Sequence, residues 1–115
     1  MGVNWEHKQR EAHRKILKAG GAGKLRRSGV DRDCVCSIVE FKPYERGLVV
    51  EGARRALISV LDPNGAALTT PPNAELDKLV FGGEVLQIIP PIGGPRPAGT
   101  IVYYDAQVLY ESVAA

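Results

Sequence analysis

The sequence predicts a mainly β protein: a small antiparallel β-barrel or sandwich of about five or six strands with an N-terminal α-helical arm. Short segments rich in β-forming residues are separated by turn signals along most of the chain. Only the first stretch has helical character. At 115 residues, the chain is long enough for one domain and too short for two. Barrel closure would leave no exposed strand edge.

The predicted helix covers residues 5–19. Asn4 can cap its first turn, and the segment lacks Gly, Pro and clusters of β-branched residues. Its apolar positions form a narrow stripe, so we expect it to dock only weakly on its own domain. Gly20-Gly21-Ala22-Gly23 follows and predicts a flexible hinge. Residues 1–23 are therefore interpreted as a basic arm with its hinge, and residues 24–115 as the barrel domain.

The strands are predicted from alternating and β-branched segments, and the turns from Gly, Pro and Asn. Asp62-Pro63-Asn64-Gly65 is a strong turn sequence, and Gly82-Gly83 joins two segments as a hairpin. The proline-rich segment 90–99 is predicted to be irregular. The candidate strands are residues 24–28, 34–41, 52–61, 78–81, 84–89 and 100–110.

The two cysteines, Cys34 and Cys36, lie two positions apart in a predicted strand. Residues at that spacing point to one face and are poorly placed for a mutual disulfide or a tetrahedral metal site. We expect two buried thiols without a redox role.

Charge is distributed unevenly along the chain. Residues 1–32 carry nine lysines and arginines against three acidic residues, whereas the rest carries six against ten. Such segregation indicates either a surface for phosphates or acidic partners, or only a solvated helix. Lys24, Arg26 and Arg27 continue the basic arm into the first strand and are candidate contacts to DNA phosphates.

Signals for catalysis are weak. His7 and His13 are six positions apart, which does not suit a helical zinc pair. Asp77 and Glu84 flank the predicted hairpin and could face each other, although carboxylates at strand ends usually lie at the surface. Because no nucleophile, base and oxyanion donor can be named together, we predict a protein that is not an enzyme and that binds no metal or cofactor.

Residues 71–90 (Pro-Pro-Asn-Ala-Glu-Leu-Asp-Lys-Leu-Val-Phe-Gly-Gly-Glu-Val-Leu-Gln-Ile-Ile-Pro) and 97–105 (Pro-Ala-Gly-Thr-Ile-Val-Tyr-Tyr-Asp) carry a family resemblance. Their pattern is a Pro-containing loop, an Asp that opens a strand, a Gly turn, a second strand that ends in Ile and Pro, and a tyrosine-containing strand. This pattern resembles the head-closure proteins of long-tailed double-stranded DNA phages, also called stoppers or head-completion proteins. The likeness extends over about residues 24–111 and includes the segment 52–61 as a central strand.

The resemblance implies a virion neck protein. It would form a six- or twelve-fold homo-oligomeric ring below the portal and adaptor proteins, retain packaged double-stranded DNA without sequence specificity, and offer the docking face for tail or tail-terminator proteins. The charged N-terminus and the absence of an 18-residue apolar run predict synthesis in a reducing cytoplasm, without membrane attachment. The resemblance implies that this is the cytoplasm of a bacterial host.

Two groups of residues are candidates for this role. Lys42 and Arg46, in the loop 42–47, are predicted to project toward the channel and contact DNA. Trp5, Ile16 and Leu17 are predicted to anchor the arm on an adjacent subunit or on the adaptor. The alternatives are a tail-terminator or tail-completion protein, and a small barrel similar to the oligonucleotide-binding fold that binds nucleic acid.

Overall fold

The computed structural model describes residues 5–40, 52–96 and 99–114. It confirms a mainly β fold with one N-terminal helix. The elements are α1 (Trp5–Ala19), β1 (Gly21–Arg27), β2 (Val30–Val39), β3 (Arg54–Ser59), β4 (Lys78–Phe81), β5 (Glu84–Gly93) and β6 (Tyr103–Val113).

The six strands form a closed antiparallel barrel in the order β1-β2-β3-β6-β5-β4. The first three strands form one meander and the last three form another. Pairing of β3 with β6 and of β1 with β4 joins the two meanders into a cylinder. Tight turns determine the pairing of β1 with β2 and of β4 with β5, and longer connections join the other strands.

The barrel core consists of inward-facing side chains from all six strands. Cys34 and Cys36 belong to it as free thiols, and the prediction that both are buried is confirmed. The hydrogen bond between the thiols and their burial raise the pKa of Cys36. The buried cluster comprises Leu25, Cys34, Cys36, Ala56, Ile58, Leu79, Leu86, Ile88, Ala106 and Val108.

The predicted turns form as the residue types require. Asp62 Oδ1 accepts the backbone N–H groups of Asn64 (2.9 Å) and Ala66 (3.0 Å), and Gly65 takes a positive φ of 85°. Gly82 and Gly83 both have positive φ and connect β4 to β5 in register, with Phe81 opposite Glu84. These conformations favour glycine because they bring a Cβ atom into conflict with the backbone.

The segment Gly20–Gly23 differs from the predicted flexible hinge. Strand β1 begins at Gly21 and pairs with β2 from its first residue, Gly21 opposite Cys36. A Cβ atom on Gly20 would lie 2.0 Å from the carbonyl oxygen of Cys36. A side chain is excluded at Gly20 because the end of α1 lies close to the backbone of β2. Residues 21–23 belong to a paired strand, so the prediction of a flexible hinge is wrong.

The prediction of irregular structure for the segment 90–99 is wrong for its first four residues, because β5 continues through Pro90 and Pro91 to Gly93. Residues 94–96 belong to no strand or helix, as predicted. The pairing of β5 with β6 changes register between Ile89 and Gly93. A proline lacks the N–H group that a regular ladder needs, and such an irregularity tolerates it. The strand thus continues through the prolines instead of ending before them.

Candidate functional site

Helix α1 packs across β1, β2 and β3 of its own barrel. Ile16 is only 4% exposed, and His13 is buried with its Nδ1 atom 2.7 Å from Ser59 Oγ. Gln9 Nε2 donates a hydrogen bond to the Ile101 carbonyl oxygen at 2.8 Å. Apolar and polar contacts together hold the helix, so the expectation of only weak docking on its own domain is wrong.

This packing determines which predicted anchors are accessible. Ile16 is almost completely covered by its own chain, whereas Leu17 is 43% exposed. Trp5 begins the helix, and its side chain lies outside the described residues. Lys42 and Arg46, the predicted channel contacts, also lie outside them.

The cations of the barrel are almost all neutralised. In its described part, Arg96 is the exception: every other lysine or arginine lies within ion-pair distance of a carboxylate. Lys24, Arg26 and Arg27, the predicted phosphate contacts on β1, are included. The pairs are Lys24–Asp33, Arg26–Asp31, Arg27–Asp77, Arg32–Asp77, Arg54–Glu84, Arg55–Asp105 and Lys78–Glu111.

The cations of α1 differ from those of the barrel. Lys8, Arg14, Lys15 and Lys18 are exposed and form no ion pair within residues 5–40, 52–96 and 99–114. Arg10 lies 4.0 Å from Glu6, and both side chains are exposed. The positive charge that the sequence concentrates near its N-terminus is therefore available to a partner on the helix, and internally compensated on β1.

These helical cations form two stripes. Arg14 and Lys18, one turn apart, point to solvent, and we call them the outer stripe. Lys8 and Lys15, two turns apart, line a groove between α1 and the start of β6, and we call them the groove lysines. Because the stripes lie on different faces of one helix, they can contact different partners.

A buried ionic cluster lies at the end of the barrel where β1 and β2 meet. The side chain of Asp77 is fully buried. Its carboxylate accepts two hydrogen bonds from Arg27, at 2.8 and 2.9 Å, and one from the Asn73 backbone N–H at 2.8 Å. Arg32 Nη2 lies 2.9 Å from Asp77 Oδ2, and Arg32 Nη1 donates to the Thr70 carbonyl oxygen. One buried carboxylate therefore compensates the charge of two arginines and also binds the backbone of the loop that contains Asn73.

The ionisation of Asp77 reflects these contacts. Burial opposes the charged form, but hydrogen bonds from Arg27 and the Asn73 N–H, together with the nearby charge of Arg32, outweigh it and hold the pKa of Asp77 below its ordinary value. Asp77 does not face Glu84, which instead pairs with Arg54 at 3.2 Å. The expectation of a surface carboxylate is thus wrong for Asp77. Its side chain is buried because Arg27 and Arg32, from β1 and β2, supply the compensating charges.

Within the described ranges, no group of three or more His, Cys, Asp or Glu residues could hold a metal ion. The described part of the chain also contains no helix with the length and apolar character needed to cross a membrane.

Comparison of the chain with protein-family models, curated protein sequences and solved structures found no match.

Proposed function

We propose that this chain is a structural subunit of the neck of a tailed double-stranded DNA phage or a phage-derived particle. It forms a head-closure ring below the portal and adaptor, retains the packaged DNA and provides a docking face for the tail. The resemblance of residues 71–90 and 97–105 to head-closure proteins supports this role. The small closed barrel suits a ring subunit because closure leaves no unpaired sheet edge to aggregate.

The observation that carries the proposal is the separation of free from compensated charge. The barrel cations are paired, except Arg96 among the described residues, while the outer stripe on α1 is not. Retention of DNA requires positive charge near phosphates and no readout of bases. A ring would repeat Arg14 and Lys18 around its axis and present a band of positive charge to the DNA.

The role is tested by an early stop codon in the gene of a particle that encodes this chain, examined by electron microscopy of the lysate. We expect free tails beside unjoined heads that have lost their DNA. A parallel culture supplied with the wild-type gene should recover joined particles. Intact infectious particles without the protein would remove it from the neck.

Charge reversal of the outer stripe tests the DNA contact. With Arg14→Glu and Lys18→Glu together, we expect heads and tails to join normally, but the fraction of joined particles with full heads should fall about tenfold or more, because each ring loses several phosphate contacts. The matched control, Arg14→Lys with Lys18→Arg, keeps both charges and should retain DNA. Full heads at the wild-type frequency in the reversed variant would show that this stripe does not hold the DNA.

A nucleic-acid-binding barrel is the second candidate. The outer stripe and the exposed ring of Tyr110 are the features that favour it, since cations contact phosphates and aromatic rings stack on bases. Strong, salt-dependent binding of free DNA by the isolated subunit would support this function over the neck role. The related possibility of a tail-terminator protein would be supported by co-purification with tails instead of filled heads.

A further inference from the structure

A groove of about 390 Å³ lies between α1 and the start of β6. Its apolar lining comes from Ala12 and Ile16 on the helix and from Leu57, Val102 and Tyr103 on the barrel. The groove lysines and Glu11 complete the lining. Oε2 of Glu11 lies 3.6 Å from Nε2 of His7. Such a site suits an apolar side chain accompanied by a negative charge.

The chain itself presents such a group at residues 74–76, which we call the tip. Leu76 is 55% exposed, and Glu75 is exposed without an ion pair to any described cation. Asn73 Oδ1 accepts the N–H groups of Glu75 (2.9 Å) and Leu76 (3.1 Å). Asp77 exchanges hydrogen bonds of 2.8 Å with the Asn73 backbone. The tip is therefore held in one shape by the buried ionic cluster, which lowers the entropy cost of inserting it into a partner.

The strand order places the groove and the tip on opposite sides of the molecule. Leu57 lies in β3 and Tyr103 in the neighbouring β6, whereas the tip leads directly into β4. In the closed order β1-β2-β3-β6-β5-β4, strand β4 lies directly across the barrel from β3. Complementary features on opposite sides are what a head-to-tail interface between identical subunits needs, because the same contact then repeats from copy to copy.

We propose that the groove is filled by the tip of a second copy of this chain. Leu76 of one copy enters the apolar groove of the next, and Glu75 lies near its two groove lysines. The role of this contact in a neck ring rests on the proposed function, but the contact itself requires only two copies of the purified protein. The outer stripe remains free, so the same helix contacts both a neighbour and DNA.

A charge-exchange series tests the contact by sedimentation velocity over a range of concentrations. Glu75→Lys alone, or Lys8→Glu with Lys15→Glu, should weaken self-association about tenfold or more, because like charges then meet. All three substitutions in one chain restore opposite charges and should return association to near the wild-type level. All of these side chains are exposed, so the barrel is expected to fold in every variant.

Further variants make the test specific. Leu76→Asp should abolish association, because it places a carboxylate in the apolar groove. Arg14→Glu with Lys18→Glu, on the outer stripe, should leave association unchanged and serves as the matched control. A transient contact is captured with Leu76→Cys and Tyr103→Cys in one chain. Oxidation should produce a ladder of covalent multimers, whereas a variant with only one of the two added cysteines should produce none beyond a dimer, because Cys34 and Cys36 are buried.

The proposal is overturned if the wild-type protein shows neither concentration-dependent association nor the ladder, or if the triple exchange fails to restore association. The proposal is also overturned if the wild-type protein does not self-associate, and if Lys8→Glu with Lys15→Glu loses binding to another neck protein while Leu76→Asp keeps it. That result would assign the groove to an acidic segment of the other protein. Failure of the neck role is distinguishable, because the lysate experiment can fail while the purified chain still forms head-to-tail multimers.

Discussion

Replacement of Asp77 by asparagine is expected to lower the free energy of unfolding by about 3 kcal/mol, the size of effect seen when one partner of a buried ion pair is removed. The substitution removes the charge that compensates Arg27 and Arg32, whose side chains are only 30% and 25% exposed. It also weakens the anchor of the Asn73 turn. Urea-induced unfolding measures the change through the transition midpoint.

Asp31→Asn is the matched control for this experiment. It removes the carboxylate that pairs with Arg26, and both side chains of that pair are partly exposed. Exposed pairs contribute about 0–1 kcal/mol, so the control should remain close to the wild type. If both variants lost the same free energy of unfolding, the burial of Asp77 would add nothing to the stabilisation by its ion pairs.

The same carboxylate predicts how stability depends on pH. The pKa of Asp77 is lower in the folded protein than its ordinary value, about 3.9 in an unfolded chain. The unfolded chain therefore takes up the proton first. The stabilisation from Asp77 is complete above its ordinary pKa and is lost as the pH falls through the lower folded value. Asp77→Asn should reduce the loss of stability between pH 5 and pH 2, and unchanged acid sensitivity would contradict this assignment.

Gly20→Ala is expected to lower the free energy of unfolding by about 3 kcal/mol, at the upper end of the usual cost of overpacking. The added Cβ would lie 2.0 Å from the Cys36 carbonyl oxygen and 2.6 Å from Ser37 Cα, both of which are backbone atoms in β2. Backbone atoms cannot move aside as a side chain can, so α1 would have to shift away from the barrel. Besides the loss of stability, we therefore expect the backbone amides of α1 to exchange hydrogen faster than in the wild-type protein.

Gly21→Ala is the control for Gly20→Ala. The nearest atom to its Cβ is Phe81 Cε1 at 3.9 Å, an ordinary contact distance. The control should change stability by less than about 0.5 kcal/mol. If Gly20 lay in a flexible hinge, Gly20→Ala would leave the free energy of unfolding equal or raise it, because alanine restricts the unfolded chain. An unchanged or higher stability of Gly20→Ala would therefore contradict the close packing of α1 on β2.

Local chemistry in the sequence was sufficient for the fold class and for most elements. The bounds of α1 follow from the absence of helix breakers up to Gly20, and the β4–β5 hairpin follows from two glycines between two β-forming segments. The common face of the two cysteines follows from the two-residue period of a strand. Each of these features depends on residues only a few positions apart, which is the range that a sequence pattern reports directly.

The tertiary structure alone decided which charges are free and which surfaces are complementary. Arg27 and Asp77 lie 50 positions apart, and His13 and Ser59 lie 46 apart. No local pattern shows that Arg27, at the end of β1, is neutralised by a carboxylate from another part of the chain. No local pattern shows that Gly20 must be small because the backbone of β2 lies against it. The groove and the tip lie on opposite sides of the molecule only because β3 and β4 face each other across a closed barrel. Ion pairing and packing depend on distance in space, and chain closure brings together residues that the sequence keeps apart.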